Sequence, residues 1–369
     1  MRIMLVVQSI GVGGAERVVT SLANEFVARG HNVCLVALEA KLPSLPLADE
    51  VQLLQLSARK SVGGLLHVLT SLRAAVRAFQ PDVVHSHMIF SNIVSRVLRC
   101  LVPFPLLIST VHSTYEGGKH RMLAYSLTHR LADVTTSVSD EAVAAFERMR
   151  AVPKGQMLTV HNGIDIRAFS FSQESRDQAR HLLGVEPTTR LILAVGRLDP
   201  AKNYPNLLRA IARVQKDLGW RVVIAGAGLL EAELQQQLAR LGLTDQVTLL
   251  GVRRDVRDLM CAADVFVLSS DYEGFPMVVG EAMACERVVV ATDCGGVAEF
   301  TGGTGILVPP RDPVALAAGL TQALALPQEV ARQIGINGRE RVVSLFSLDA
   351  TVDRWLSLYR KNAGSNAAR

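Results

Sequence analysis

Residues 269–284 read SSDYEGFPMVVGEAMA. The run that leads into them, DVFVLSS (264–270), is short, apolar and β-branched, as a strand buried on both faces must be. DYEGFP is a loop, and MVVGEAMAC (277–285) is a helix in which Gly280 and Ala284 allow close packing. Strand, loop and helix in that order make one βα step of a doubly wound parallel sheet, whose ligands bind at the carboxyl ends of the strands. Glu273 stands in the loop and Glu281 about a turn and a half inside the helix, so they address two parts of one extended ligand. Carboxylates accept from hydroxyls, which makes a sugar ring and a ribose natural targets. The backbone N–H groups of Gly274, Phe275 and Met277 surround the helix start, Pro276 having none, and can hold phosphate or sugar oxygens. Taken alone, a pair of glutamates at this spacing is equally well two unrelated surface residues.

The same alternation runs outward in both directions. Before residue 165, IMLVVQS, NVCLVAL, DVVHSH, LLISTVH, DVTTSVS and LTVHNG read as strands, with GAERVVTSLANEFVARG and GGLLHVLTSLRAAVRAF as amphipathic helices between them. After a polar, turn-rich stretch, read as a hinge near 164–187, the pattern resumes with RLILAVG, WRVVIAG, QVTLLG, DVFVLSS, RVVVAT and GILVPP. The chain has 369 residues, 49% of them hydrophobic, enough for two such sheets in tandem. The fold class is therefore α/β with two doubly wound domains and a ligand cleft between them. Apolar runs such as LVPFPLLI (101–108) fall far short of the roughly 18 residues of a membrane span, and MRIMLVVQS is a first strand rather than a signal peptide. A cytoplasmic location is expected. Cys34, Cys100, Cys261, Cys285 and Cys294 form no C-x-x-C pair, against both a disulfide framework and a zinc site.

Two glycine loops need separating from a dinucleotide fingerprint. SIGVGGAERVV (9–19) joins the first strand to the first helix and presents N–H groups to an anion near Gly13 and Gly14. Counted from Gly11, however, Glu16 stands where the third glycine of G-x-G-x-x-G belongs, and Glu231 fails the same test from Gly226. Hydride transfer loses ground. In VGRLDPAKN (195–203), Arg197 and Lys202 lie just past a strand end and can neutralise one diphosphate, although an isolated pair of this kind is more often two solvated charges. His112 follows a strand and faces the expected cleft. His85 and His87 end another strand on the acceptor side, and His161 suits a structural turn.

Together EGFPMVVGEAMA, GVGGAER, HNGID and GRLDPAKN closely resemble the retaining glycosyltransferases of family 4, which have the GT-B fold. FSLDATVDRWLSLYRKN is similar to that family's C-terminal helix, so the resemblance covers nearly the whole chain. It implies an N-terminal Rossmann-like acceptor domain over 1–165, a nucleotide-sugar domain over 166–347, and a helix at 348–362 that returns to the first. It implies a donor-sugar contact for Glu273, a ribose contact for Glu281, diphosphate contacts for Arg197 and Lys202, and a place beside those phosphates for Gly13 and Gly14. His112 matches a position that meets the donor sugar near the reacting carbon. The implied reaction moves a hexosyl or N-acetylhexosaminyl group from a nucleotide sugar, a UDP-sugar, with retention, and the leaving phosphate takes the acceptor proton. No cofactor is expected and, with no D-x-D sequence, no metal.

The partners expected are a nucleotide-sugar donor, a glycan or lipid-linked acceptor and an anionic membrane surface, but no nucleic acid. Residues 1–165 hold 16 Lys and Arg against 12 Asp and Glu, a net of +4, while the remainder nets +1. The basic residues include Arg59, Lys60, Arg73 and Arg77 beside a leucine-rich helix face, and Lys119, Arg121 and Arg130 in GGKHRMLAYSLTHR. Both helices could equally pack on the sheet with a solvated basic edge. The rival functions are a nucleotide-sugar epimerase or hydrolase on this fold, which needs further acid and base residues, and a non-catalytic nucleotide-sugar-binding protein.

Overall fold

A computed structural model describes residues 1–11, 13–41, 46–57, 61–114 and 118–366, which fall into two compact units: Met1–Gly163 with the chain from Leu348 onward, and Ile164–Ser347. The first contains β1 (Arg2–Val7), α1 (Gly14–Ala28), β2 (Asn32–Ala37), β3 (Gln52–Gln55), α2 (Val62–Phe79), β4 (Val83–His87), α3 (Ile89–Arg99), β5 (Leu106–Val111), α4 (Lys119–Thr128), β6 (Val134–Ser137), α5 (Asp140–Arg148) and β7 (Leu158–Thr159). Its strands form one parallel sheet in the order β3-β2-β1-β4-β5-β6-β7. Strands β4 and β5 are buried throughout, which is why their sequences run apolar without alternation. Met4, Val6, Val36 and Val84 pack with Val68, Leu72 and Val76 of α2 and with Val94 and Leu98 of α3.

The second unit contains α6 (Gln173–Leu182), β8 (Arg190–Val195), α7 (Tyr204–Ile211), β9 (Trp220–Ala225), α8 (Glu231–Leu241), β10 (Val247–Gly251), α9 (Val256–Ala262), β11 (Val265–Leu268), α10 (Met277–Ala284), β12 (Val288–Thr292), α11 (Val297–Thr301), β13 (Ile306–Val308), α12 (Pro313–Leu324) and α13 (Gln328–Phe346). The sheet order β10-β9-β8-β11-β12-β13 repeats that of the first unit. In each sheet the strand order reverses beside the first strand, at β1/β4 and at β8/β11. Such a switch point opens a crevice at the strands' carboxyl ends.

Two elements depart from the sequence reading. Strand β3 is a largely exposed edge, so its apolar signal is too weak to stand out. The stretch 164–187, read as irregular, carries α6. That helix is held by charge rather than by an apolar stripe. Asp264 accepts from Arg176 (2.6 Å), Arg180 (3.3 Å) and the Leu191 N–H (2.7 Å), while Arg176 also donates to the carbonyls of Cys261, Ala262 and Ala263.

The last helix, α14 (Leu348–Asn366), belongs to the first unit. Gly163 admits it: a Cβ there would stand 2.5 Å from the Leu348 Cα. Arg29 of α1 binds Asp349 at 3.3 Å and also Asp353. Tyr359 reaches the core, where its hydroxyl bonds His85 Nδ1 at 2.7 Å; His85 Nε2 bonds Thr110 Oγ1, and Thr110 bonds Thr136, both at 2.7 Å. The ring of His87 lies 4.0 Å from that of His85. No helix among the described residues is long and apolar enough to cross a membrane.

Burial keeps these imidazoles uncharged. His85 and His87 are held well below the ordinary histidine pKa, and His112 is pushed down to about 4. Below about pH 6.5 the unfolded chain takes protons that the folded rings refuse, so stability falls as the pH falls. Each histidine contributes a slope of about 1.4 kcal/mol per pH unit. Thermal unfolding between pH 7.5 and 5 should show the melting temperature of the first unit dropping on the acid side; a flat profile there contradicts the burial of neutral rings.

Candidate functional site

In the second unit the switch point places the β8 loop beside the β11 loop. Strand β8 ends at Val195, and Gly196 follows with φ 159°; a Cβ on Gly226, after β9, would lie 1.9 Å from the Gly196 carbonyl oxygen, so the two loops touch through glycine. Leu198 is buried and anchors the β8 loop in the core. Asp199 accepts from the Lys202 N–H at 3.2 Å and pairs with Arg197 at 3.1 Å. Asn203, at φ 44°, caps α7 by accepting from the Asn206 N–H, and gives its own amide to Asp271 at 2.6 Å. Asp271 in turn donates its N–H to the Ala201 carbonyl (2.8 Å) and pairs with Arg311 (2.8 Å).

Once joined, the two loops bring Lys202 Nζ within 2.5 Å of Glu273 Oε1, the same oxygen that accepts from Ser270 Oγ at 2.6 Å. The Lys202 and Glu273 side chains are 18% and 13% exposed, against 68% for Arg197. A largely desolvated ion pair thus stands at the end of the sheet, with the exposed Arg197 guanidinium on the same loop as Lys202. A third loop, after β12, supports Glu273 from behind. The Gly296 N–H donates to the Gly274 carbonyl at 2.8 Å, and a Cβ on Gly295 (φ 59°) would meet the Glu273 carbonyl oxygen at 2.4 Å.

Helix α10 begins here without a side-chain cap. Gly274 and Met277 flank that start. Phe275 turns its ring inward, stacking on Phe300 at 3.8 Å and touching Phe346. Glu281 lies on the buried side of α10, 3% exposed. Neighbouring Gly280 packs so closely that a Cβ would stand 2.6 Å from Phe300.

The first unit carries Gly13, Gly14 and His112. Gly13 precedes α1 in extended conformation, and a Cβ there would lie 2.1 Å from a Glu16 carboxylate oxygen, the movable end of a flexible side chain. Gly14 has open space where a Cβ would stand. His112 follows β5 and bonds His87 Nδ1 through its Nε2 at 3.1 Å. His85, expected on the acceptor side, is instead fully buried between Tyr359 and Thr110. His161 serves a turn: its carbonyl accepts from Thr351 of α14.

Sequence reasoning missed Asn203 as the loop's organiser. The signal was present in KNYPN, an asparagine before a proline near a helix start. The Asp271–Asn203 bond carries no local signal, since its partners lie 68 positions apart, whereas the Ser270–Glu273 bond is local, three residues apart, and was missed.

Comparison with known proteins identifies the arrangement. Residues 12–168 match the family described as Glycosyltransferase Family 4, and residues 189–325 the family described as Glycosyl transferases group 1. The chain is 32% identical to a D-inositol 3-phosphate glycosyltransferase of Geodermatophilus obscurus, over 78% of this chain and 68% of that one. It is 27% identical to an α-1,4-N-acetyl-D-galactosaminyltransferase of Campylobacter jejuni, over 97% and 98% of the two chains. The crystal structure of Anabaena HepE in complex with UDP superposes with a TM-score of 0.84 at 22% identity, covering 98% of this chain and all of that one, which establishes the GT-B fold. The chain belongs to the group 1 glycosyl transferases of family 4.

Proposed function

We propose that the protein transfers a hexosyl or N-acetylhexosaminyl group from a UDP-sugar to a glycan acceptor with retention at the anomeric carbon. The observation that carries this reading is the Lys202–Glu273 pair at the β8/β11 switch point, a cation for the diphosphate in contact with a carboxylate for the sugar. Arg197 is free to swing from Asp199 to the diphosphate, engaging it bidentately. The uncapped start of α10, with the N–H groups near Gly274, Phe275 and Met277, adds positive potential. Glu281 takes the ribose, and His112, Gly13 and Gly14 are assigned to the donor as well. In the reaction the bond from the anomeric carbon to the diphosphate oxygen breaks, the bond to the acceptor oxygen forms on the same face, and the departing diphosphate receives the acceptor proton. Arg197 and Lys202 stabilise the charge that develops on the leaving group, the kind of preorganised electrostatic effect that dominates many enzymes. UDP in HepE supports the choice of nucleotide.

A lipid-linked acceptor used at the inner face of the cell membrane, in cell-surface polysaccharide or glycoconjugate synthesis, extends this reading. The Campylobacter relative is named for an undecaprenol-diphosphate-linked glycan. In α4, Leu123 and Leu127 are 59% and 75% exposed on the face that also carries Lys119, with Arg121 and Arg130 exposed at its flanks. In α2, Leu65 and Leu66 are exposed, as are Arg73 and Arg77; Arg59 and Lys60 lie outside the described residues. Apolar side chains bordered by cations suit anionic head groups, each cation contributing about 1 kcal/mol near the surface.

Two outcomes test the proposal. Lys202→Ala and Arg197→Ala should each lower turnover by about 2–4 kcal/mol of transition-state stabilisation while the fold survives. A panel of nucleotide sugars screened by thermal shift identifies the donor, and near-normal turnover of that donor by both variants contradicts the phosphate roles. Flotation with anionic liposomes should carry the protein upward at low salt and less as salt rises; protein that stays at the bottom under all conditions rejects the membrane site.

A further inference from the structure

Among the described residues, seven other than glycine hold a positive φ, and two of these reach the same carboxylate. Asn203 (φ 44°) donates from Nδ2 to Asp271 Oδ1 at 2.6 Å, and Arg311 (φ 63°) donates from Nε to Asp271 Oδ2 at 2.8 Å. The three residues follow three different strands: Asn203 comes after β8, Asp271 after β11 and Arg311 after β13. With the strands in the order β8-β11-β12-β13, Arg311 reaches past β12 to meet the β11 loop.

The two left-handed residues differ in what explains them. Asparagine is enriched in this conformation, and Asn203 caps a helix from it. An arginine pays the steric penalty of its Cβ there and caps nothing: the next residue, Asp312, caps α12 by accepting from the Val314 and Ala315 N–H groups, both at 2.9 Å. Glycine would make the same turn without strain. What arginine adds is therefore its side chain, which is 71% exposed and whose hydrogen bond among the described residues goes to Asp271, 15% exposed. Strained residues of this kind gather at functional sites.

Asp271 governs both members of the Lys202–Glu273 pair. Its N–H donates to the Ala201 carbonyl at 2.8 Å and its carboxylate binds Asn203, so it grips the chain on either side of Lys202. Its neighbour Ser269 donates to the Lys202 carbonyl at 2.9 Å, and Ser270 to Glu273 Oε1 at 2.6 Å.

We propose that Arg311 is a positioning residue: from the β13 loop it holds Asp271, and through Asp271 it keeps Lys202 and Glu273 placed for the donor. This rests on the reading of that pair as the diphosphate and sugar contacts. A contact can bias a loop by no more than its own free energy, and an exposed ion pair is worth up to about fivefold in an equilibrium. The role is thus recognised by the sign of its effects rather than by their size.

Arg311→Gly removes the side chain and relieves the turn. Its melting temperature should equal or exceed that of the wild type, while kcat/KM for release of UDP from UDP-glucose or UDP-N-acetylglucosamine falls about threefold to fivefold. In an Asp271→Asn background, where the ion pair is already lost, Arg311→Gly should change turnover no further. An equal loss in both backgrounds shows that Arg311 acts without Asp271 and contradicts the proposal. So does an unchanged rate in the wild-type background, or a melting temperature that falls together with the rate. Hydrogen exchange of the full-length protein, read without ligand, should quicken in Arg311→Gly at the Lys202 and Asp271 N–H groups; unchanged exchange there overturns the positioning role. If the wild type releases UDP from neither sugar nucleotide, the reading of the pair fails, and the exchange result still decides whether Arg311 orders the two loops.

Discussion

The contact between Lys202 Nζ and Glu273 Oε1 joins residues 71 apart in the chain, and the second unit is arranged around it. Two opposite charges taken out of water offset each other only when their geometry is held and their remaining hydrogen-bonding capacity is met. Here Ser270 meets part of it for Glu273. The backbone on both sides is fixed by Asp199, Asn203 and Asp271 and by the Gly295–Gly296 turn. The same contact defines a ligand's task. An anion that binds Lys202 must compete with Glu273, and a hydroxylated group nearby gives Glu273 a new partner as it is displaced. A nucleotide sugar supplies both, since its diphosphate is bonded to the anomeric carbon of the ring that carries the hydroxyls.

That contact follows from topology. In a parallel sheet the first and fourth strands become neighbours only because the chain reverses direction across the sheet, and their following loops cannot fill the gap between them. Both sheets have this order, so the chain has one such gap per unit. In the second it lies between the loops that carry Arg197–Lys202 and Ser270–Glu273, in the first between the loops that follow Val7 of β1 and His87 of β4. Close loop approach is allowed where glycine replaces a side chain, as at Gly226 against Gly196 and Gly295 against Glu273.

Much of this was legible in the sequence, for physical reasons. Strands buried on both faces must be continuously apolar, which made the βα alternation and both sheets visible. Residues beyond strand ends pointed to Arg197, Lys202, Glu273 and His112. Exposed β3 and charge-anchored α6 escaped because neither buries an apolar stripe. The direct pairing of Lys202 with Glu273 escaped because strand order, which decides loop adjacency, is not a local property. His85 misled: a strand-end histidine looks like a lining group until Tyr359, 274 positions away, fills the space beside it.

The central claim is that Glu273 competes with the diphosphate for Lys202. Calorimetric titration of UDP into the wild-type protein, Glu273→Gln, Lys202→Met and the double variant measures this competition. The account predicts that Glu273→Gln binds UDP more tightly than wild type, that Lys202→Met binds it more weakly, and that adding Glu273→Gln to Lys202→Met changes nothing further. An effect of Glu273→Gln that is the same with and without Lys202, additive within about 0.5 kcal/mol, would show that the two side chains act independently and contradict the account.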